Sequence, residues 1–333
     1  MRLAILILSI VTFDLLAFSL ANETIEEFVE ELKVYPQLDL LKVSNSLHNV
    51  KISKKIIGLM DRPAEKTKTW TQYRSLLVGE KRVQQGCSFL KENLKTFREA
   101  EVRYGVPSSI IAGIVGVETF YGKIKGNHDV FTALATLAFH YPKDNPKRKN
   151  FFRYQLKEFL LMADKHGRDF NSYRGSYAGA LGIPQFMPDN YRRLAVDFNK
   201  DGKIDIINNV EDAIGSIGNF LRYHGWIPNQ AVISVIPKSS HIKSAKIESN
   251  PSRTNTTLVE LVPDWRETKF VQTGNTDGNL DSTLVALLEQ SEEGDVKQWL
   301  GFENFFTLFH YNPRLFYALA VASLADALKE CEI

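Results

Sequence analysis

Cysteine is nearly absent: of 333 residues only Cys87 and Cys331 carry a thiol. Two are too few for a disulfide-stapled scaffold, and they lack the clustered spacing of a zinc site. In an oxidising compartment they can join an early helix to the C-terminal one; the alternative is two unrelated thiols. Net charge is also missing, with 41 Lys and Arg against 39 Asp and Glu. That balance provides no bulk attraction to nucleic acid or to anionic membranes. Beyond the first 21 residues no apolar run approaches the ~20 residues of a membrane span. The seven histidines show no His-Glu-x-x-His spacing, and there is no P-loop or dinucleotide glycine pattern. No cofactor for catalysis is therefore expected. What remains is ordinary globular composition, 44% hydrophobic and 24% charged, enough for a large core in one or two domains.

The chain opens Met1-Arg2-Leu3 and continues apolar to Ala21, with Ser19-Leu20-Ala21 preceding Asn22. A basic start, an apolar stretch and small residues before the cut read as a secretory leader over 1–21, removed after Ala21. The alternative is an uncleaved anchor, which Asp14 within the apolar run disfavours. The exported domain is then 22–333.

Mixed apolar and acidic residues from Ile25 to Leu41 have helical spacing, as do Lys54 to Leu59 before Arg62-Pro63. A long amphipathic helix is expected over Lys81–Tyr104, with Leu90, Leu94, Phe97 and Val102 facing inward. Pro107 to Trp226 reads as helices joined by Gly- and Pro-rich turns. Ala231–Ile236, Leu258–Val262 and Lys269–Gln272 look like short strands in a small mixed insert of about 231–301. Phe305 to Leu328 returns to helix. The fold class is mainly α, of the α+β kind.

One segment carries chemistry: Gly105-Val-Pro-Ser-Ser-Ile-Ile-Ala-Gly-Ile-Val-Gly-Val-Glu-Thr-Phe-Tyr-Gly122. Pro107 suits the first helical position and Gly122 a left-handed stop. Ile110, Ile114 and Glu118 fall four apart, so the carboxylate shares a face with isoleucines. Desolvation and the negative helix end both favour the protonated acid, the condition for general-acid work at neutral pH. Taken alone, such a glutamate is more often structural, capping a helix or pairing with arginine.

Two further features bear on it. Gly175-Ser-Tyr-Ala-Gly-Ala-Leu-Gly-Ile-Pro-Gln-Phe-Met-Pro188 combines close backbone approach with the hydrogen-bonding side chains of Ser176 and Gln185. Tyr73, Tyr141, Tyr177, Tyr223, Tyr311 and Tyr317 stand in polar settings. Aromatic faces beside neutral hydrogen bonders suit a sugar chain, although any single tyrosine is more often core.

These stretches resemble the membrane-bound lytic transglycosylase B family. The likeness runs in order through Gly-Val-Glu-Thr-Phe-Tyr-Gly at 116–122, Ala-Leu-Ala-Thr-Leu-Ala-Phe at 133–139, Gly-Ser-Tyr-Ala-Gly-Ala at 175–180 and Pro-Gln-Phe-Met-Pro at 184–188. It continues through Asp212–Ser216 and His224-Gly-Trp226 to Tyr311-Asn312, covering nearly all of the mature chain. The resemblance implies a lysozyme-like helical core with additional N- and C-terminal helices. It implies cleavage of the β-1,4 bond between N-acetylmuramic acid and N-acetylglucosamine in peptidoglycan, leaving 1,6-anhydromuramic ends. Glu118 would be both acid and base; Ser176 would position the acetamido group; Gln185, Tyr73, Tyr311 and Tyr317 would line the groove. Arg148 would meet a stem or lactyl carboxylate. The implied partners are glycan strands and other cell-wall enzymes, with peripheral membrane association and no nucleic acid. The implied location is the periplasm or an exported compartment. The sequence departs from the family in a longer, more basic loop over 142–150, and in Phe151 and Phe220 where the family tends to carry tyrosine.

Finally, Asp197-Phe-Asn-Lys-Asp-Gly-Lys-Ile-Asp205 opens like a calcium loop. Asp197, Asn199 and Asp201 offer oxygens, Gly202 the sharp turn and Lys203 its carbonyl. The usual closing carboxylate is replaced by Asn208. Glu211 or Asp212 can close the site instead, and the family resemblance aligns Asp212. A structural Ca²⁺ or Na⁺ is expected there; the alternative is an ion-free Asp/Asn-rich turn.

Overall fold

The computed structural model describes residues 25–61, 69–142, 145–236, 271–272, 286–292 and 295–331. The leader and the expected strand at Leu258–Val262 lie outside them. In chain order the helices are α1 (25–31), α2 (Leu40–His48), α3 (Lys54–Asp61), α4 (Trp70–Leu77), α5 (Glu80–Glu92), α6 (Leu94–Tyr104) and α7 (Ser108–Thr119). They continue with α8 (Val130–Phe139), α9 (Pro146–Lys165), α10 (Pro188–Leu194), α11 (Val210–Tyr223), α12 (Glu303–Tyr311) and α13 (Leu315–Lys329). The strands are β1 (His128–Asp129), β2 (Arg174–Gly175), β3 (Ile233–Val235), β4 (Val271–Gln272), β5 (Ala286–Glu292) and β6 (Asp295–Gly301). The mainly helical class with a small β insert is as expected.

The chain divides into two compact units. The first holds Met1–Pro63, Lys125–Leu181 and Gln185–Arg193. Its centre is α8, whose residues are buried except Thr132, because the run Val-Phe-Thr-Ala-Leu-Ala-Thr-Leu-Ala-Phe is apolar on every side. Asp129 starts this helix by accepting the Thr132 N–H at 2.7 Å. The face of α9 carrying Phe152, Leu156 and Phe159 packs against α8. Buried Glu158 of α9 pairs with Arg192, which satisfies a charge that burial would otherwise make costly. The short β1–β2 ladder pairs His128 with Gly175.

The second unit holds Ala64–Ile124, Gly182–Pro184 and Leu194–Ile333. Its axis is α7, buried from Ser108 through Gly116 and packed on α13, α5, α11 and α6. Small residues make that packing close: a Cβ at Gly113 would lie 3.1 Å from the Val321 carbonyl oxygen of α13. Buried Asn304 in α12 ties the chain after α11 by accepting the Ile227 N–H at 2.8 Å and donating to the Gln230 carbonyl at 2.9 Å. Cys87 and Cys331 are bonded, joining α5 to the end of α13. The insert forms an antiparallel sheet of order β4-β3-β6-β5.

Several expectations are corrected. The 25–41 segment is interrupted at Pro36, with a 3-10 turn at Leu32–Val34 and a new helix capped by Asp39. The expected Lys81–Tyr104 helix is two helices that break at Asn93, whose φ of −118° lies off the helical region. The break resets the phase: Leu90 and Phe97 are buried, but Leu94 is 38% and Val102 89% exposed, and Ala100 and Tyr104 face inward instead. The last helical segment likewise splits at Asn312-Pro313 into α12 and α13.

Candidate active site

Glu118 stands in the last turn of α7. At the other end Pro107 is the N-cap rather than the first helical residue, and Glu101 accepts from the Ser108 N–H (3.2 Å) and hydroxyl (2.7 Å). A carboxylate at that pole matches the helix dipole. The left-handed stop begins earlier than Gly122: Phe120 (φ 48°) and Tyr121 (φ 60°) are already left-handed, and Gly122 (φ 79°) follows. Two consecutive non-glycine residues with positive φ mark a strained turn that its surroundings must hold in place.

Those surroundings include Thr119, 1% exposed beside half-buried Glu118. Its hydroxyl donates to the Ile183 carbonyl at 2.9 Å and accepts the Gly122 N–H at 3.0 Å, tying the end of α7 to the Gly182–Pro184 segment. Tyr311, at the end of α12, donates to the neighbouring Pro184 carbonyl at 2.5 Å. Its ring stacks with that of Tyr317 at 6.3 Å and meets Phe220 edge-on at 4.8 Å. Burial first, and the Glu118 charge second, push the Tyr311 and Tyr317 hydroxyls well above the ordinary phenol range. Both therefore keep their protons at neutral pH, that of Tyr311 committed to the Pro184 carbonyl. The Tyr317 hydroxyl is buried and makes no hydrogen bond of regular geometry. Tyr73 lies near it, its ring against Trp70 and Phe316. The second unit thus gathers Glu118, Tyr73, Tyr311 and Tyr317 in one place.

Ser176, Gln185 and Arg148 belong to the first unit. The Ser176 hydroxyl oxygen accepts the N–H groups of Ala178 (3.2 Å) and Ala180 (3.0 Å), so the turn uses its lone pairs and not its hydrogen. Gly175 is required there, since a Cβ would sit 2.1 Å from the Ala180 carbonyl oxygen. Gln185 adopts a left-handed backbone (φ 53°) and donates to the Lys125 carbonyl at 3.1 Å. Arg148, exposed in the first turn of α9, lies over the rings of Phe151 and Phe152 at 5.3 and 5.2 Å.

The Asp197–Asp205 loop forms the expected sharp turn. Asp197 accepts the N–H groups of Asp201 (3.1 Å) and Gly202 (2.8 Å), Asn199 that of Asp201 (3.1 Å) and Asp201 that of Lys203 (2.8 Å). Gly202 takes the left-handed conformation at φ 86°. Asp212, fully buried, accepts from the Phe198 and Asp205 N–H groups at 2.8 Å each, bracing the loop from the start of α11. Among the described residues no three His, Cys, Asp or Glu side chains are arranged as a metal centre. The hard oxygens of Asp197, Asn199, Asp201 and the Lys203 carbonyl fit a calcium-like ion in kind, while Asp212 is engaged with backbone amides.

Little in the sequence marks Thr119, because its partner Ile183 lies 64 residues away. Its place next to Glu118 was the only local signal.

Residues 21–326 match the transglycosylase SLT domain family. Membrane-bound lytic murein transglycosylase B of Escherichia coli K12 is 31% identical over 316 residues, covering 92% of this chain and 83% of that protein. The lytic transglycosylase Slt35 of Escherichia coli in complex with calcium is 30% identical, with TM-score 0.78 over 92% of this chain and 93% of that one. SltB3 of Pseudomonas aeruginosa in complex with NAG-NAM-pentapeptide is 26% identical, with TM-score 0.76 over 93% of this chain and 79% of that one.

Proposed function

The chain belongs to the transglycosylase SLT domain family, and on that premise we propose that it is a peptidoglycan lytic transglycosylase in which Glu118 serves as both acid and base. The observation that carries this is a half-buried carboxylate, in the last turn of an apolar helix, beside the hydroxyls of half-buried Tyr311 and buried Tyr317, which keep their protons. A carboxyl group that is partly desolvated at the negative end of a helix is suited to general-acid work.

In this mechanism Glu118 protonates the glycosidic oxygen between N-acetylmuramic acid and N-acetylglucosamine, and the C1–O bond breaks. The substrate's own acetamido group stabilises the developing cation, so no second protein carboxylate is needed, unlike most glycoside hydrolysis. Glu118 then takes the proton of the muramic acid 6-hydroxyl, whose oxygen closes the 1,6-anhydro ring. Ser176, with its hydroxyl hydrogen unspent in its own turn, donates to the acetamido carbonyl. Tyr73, Tyr311, Tyr317 and Gln185 line the glycan path, and Arg148 meets a stem or lactyl carboxylate. The capture of NAG-NAM-pentapeptide by SltB3 supports this partner class. The leader exports the chain with cleavage after Ala21, which N-terminal sequencing of the secreted protein checks. The Asp197–Lys203 oxygens hold a structural Ca²⁺ or Na⁺, a reading supported by the calcium complex of Slt35.

The test is product analysis on purified sacculi. Wild type should release anhydromuropeptides, and Glu118→Gln should lose turnover while still sedimenting with sacculi. Reducing ends from wild type would assign a hydrolase instead. Turnover by Glu118→Gln comparable to wild type would remove Glu118 from the chemistry.

A further inference from the structure

Arg82 in α5 is half-buried beneath the end of the Glu118 helix. Its Nη1 donates to the Gly116 carbonyl of α7, two residues before Glu118, and its guanidinium lies 4.9 Å from the Phe120 ring centroid. The carbonyl it grips also accepts the Phe120 N–H at 3.2 Å, where the strained backbone begins: Phe120 and Tyr121 are both left-handed. Tyr121 is locked in turn between two helices, for a Cβ at Gly86 of α5 would lie 2.3 Å, and at Gly116 2.7 Å, from its hydroxyl oxygen.

This placement is unfavourable for the arginine itself. Its Nε–H is buried with no hydrogen-bond partner. Desolvation pulls its pKa below the ordinary guanidinium value, partly offset by Tyr121. A straight apolar side chain would fill the same space without an orphaned donor, and such replacements of buried charge are often neutral or stabilising. What only a cation with N–H donors supplies is a grip on the Gly116 carbonyl of α7 together with a positive charge near that helix's negative end.

We infer that Arg82 is a positioning residue for the transglycosylase reaction, fixing the left-handed end of α7 and thereby the place of the Glu118 carboxylate. The inference rests on the reading of Glu118 as acid and base. Its force comes from geometry: a displacement of about 1 Å at a reacting group can cost on the order of a hundredfold in rate.

The experiment compares the full mature chain with Arg82→Met and Arg82→Lys, measuring kcat and apparent KM on purified sacculi together with Tm. The expected result for Arg82→Met is a kcat lowered about tenfold or more, KM within about twofold, and Tm unchanged or raised. Arg82→Lys, which keeps the charge and one donor, should recover part of kcat. A kcat within twofold of wild type overturns the inference, as does a loss of kcat that tracks a falling Tm in both variants. Where Arg82→Met does not fold, Arg82→Lys decides alone: reduced kcat at wild-type Tm supports the inference, and unchanged kcat overturns it. Glu118→Gln runs alongside, and full turnover by that variant would defeat the Glu118 reading whatever Arg82 does.

Discussion

Thr119→Val is the most discriminating single change near the site. Valine matches threonine in shape, so the change removes one hydroxyl with little repacking. That hydroxyl donates to the Ile183 carbonyl and accepts the Gly122 N–H, at 2.9 and 3.0 Å. Each bond is worth about 1 kcal/mol net, and a buried group left unpaired costs about 1–3 kcal/mol. The Ile183 side lies in the core, whereas half-exposed Gly122 can recover part of its loss from water. The sum is about 2–4 kcal/mol, a large share of the roughly 5–15 kcal/mol that stabilises a domain. The described tryptophans, Trp70, Trp226 and Trp299, fall in the second unit, so fluorescence during urea titration reports on the unit that holds Thr119. With a slope of about 3 kcal/mol/M, the midpoint should fall by roughly 1 M. Thr119→Ser keeps both bonds and should lose less than about half of that. A Thr119→Val midpoint within about 0.2 M of wild type, or a serine variant as unstable as the valine one, would mean that this hydroxyl does not hold the end of α7.

The Cys87–Cys331 bond closes a loop with a sequence separation of 244 residues. Chain entropy sets a ceiling of about 5 kcal/mol on its contribution, with 2–4 kcal/mol typical, so Cys87→Ser/Cys331→Ser should unfold at clearly lower urea; coincident curves would contradict this. At Asp212, burial raises the carboxyl above its ordinary value despite backbone N–H groups that pull it down. The folded state therefore binds the proton more tightly than the unfolded chain, and this group's contribution falls as pH rises through the raised value. The stability advantage of wild type over Asp212→Asn should be largest near pH 4 and shrink toward neutrality; an advantage growing with pH would be inconsistent. Calcium added to chelated protein should raise Tm, and an Asp201→Ala variant should not respond; absence of any shift in wild type would dismiss the cation loop.

The features legible in the residues alone are those whose physics is local. From Ile110 to Val117 the α7 stretch is apolar on all sides, and helical spacing alone puts the Glu118 carboxylate on a face with isoleucines at a helix end. The sharp turn of the Asp197–Gly202 loop was equally legible, since a glycine and short polar side chains specify tight turns within a few residues. The paired strands β5 and β6 were not: Ala-Leu-Leu-Glu-Gln-Ser-Glu lacks the β-branched alternation that marks a strand, and cross-strand pairing supplies what propensity does not. Nor could periodicity show that Asn93 breaks the α5–α6 segment and turns Val102 out to solvent.

What surrounds Glu118 was decided by tertiary structure. Tyr311 and Tyr317 come from the last two described helices, Thr119 reaches Ile183, and Arg82 reaches Gly116 across 34 positions. Those contacts join residues with no sequence proximity, so only packing brings them to one carboxylate.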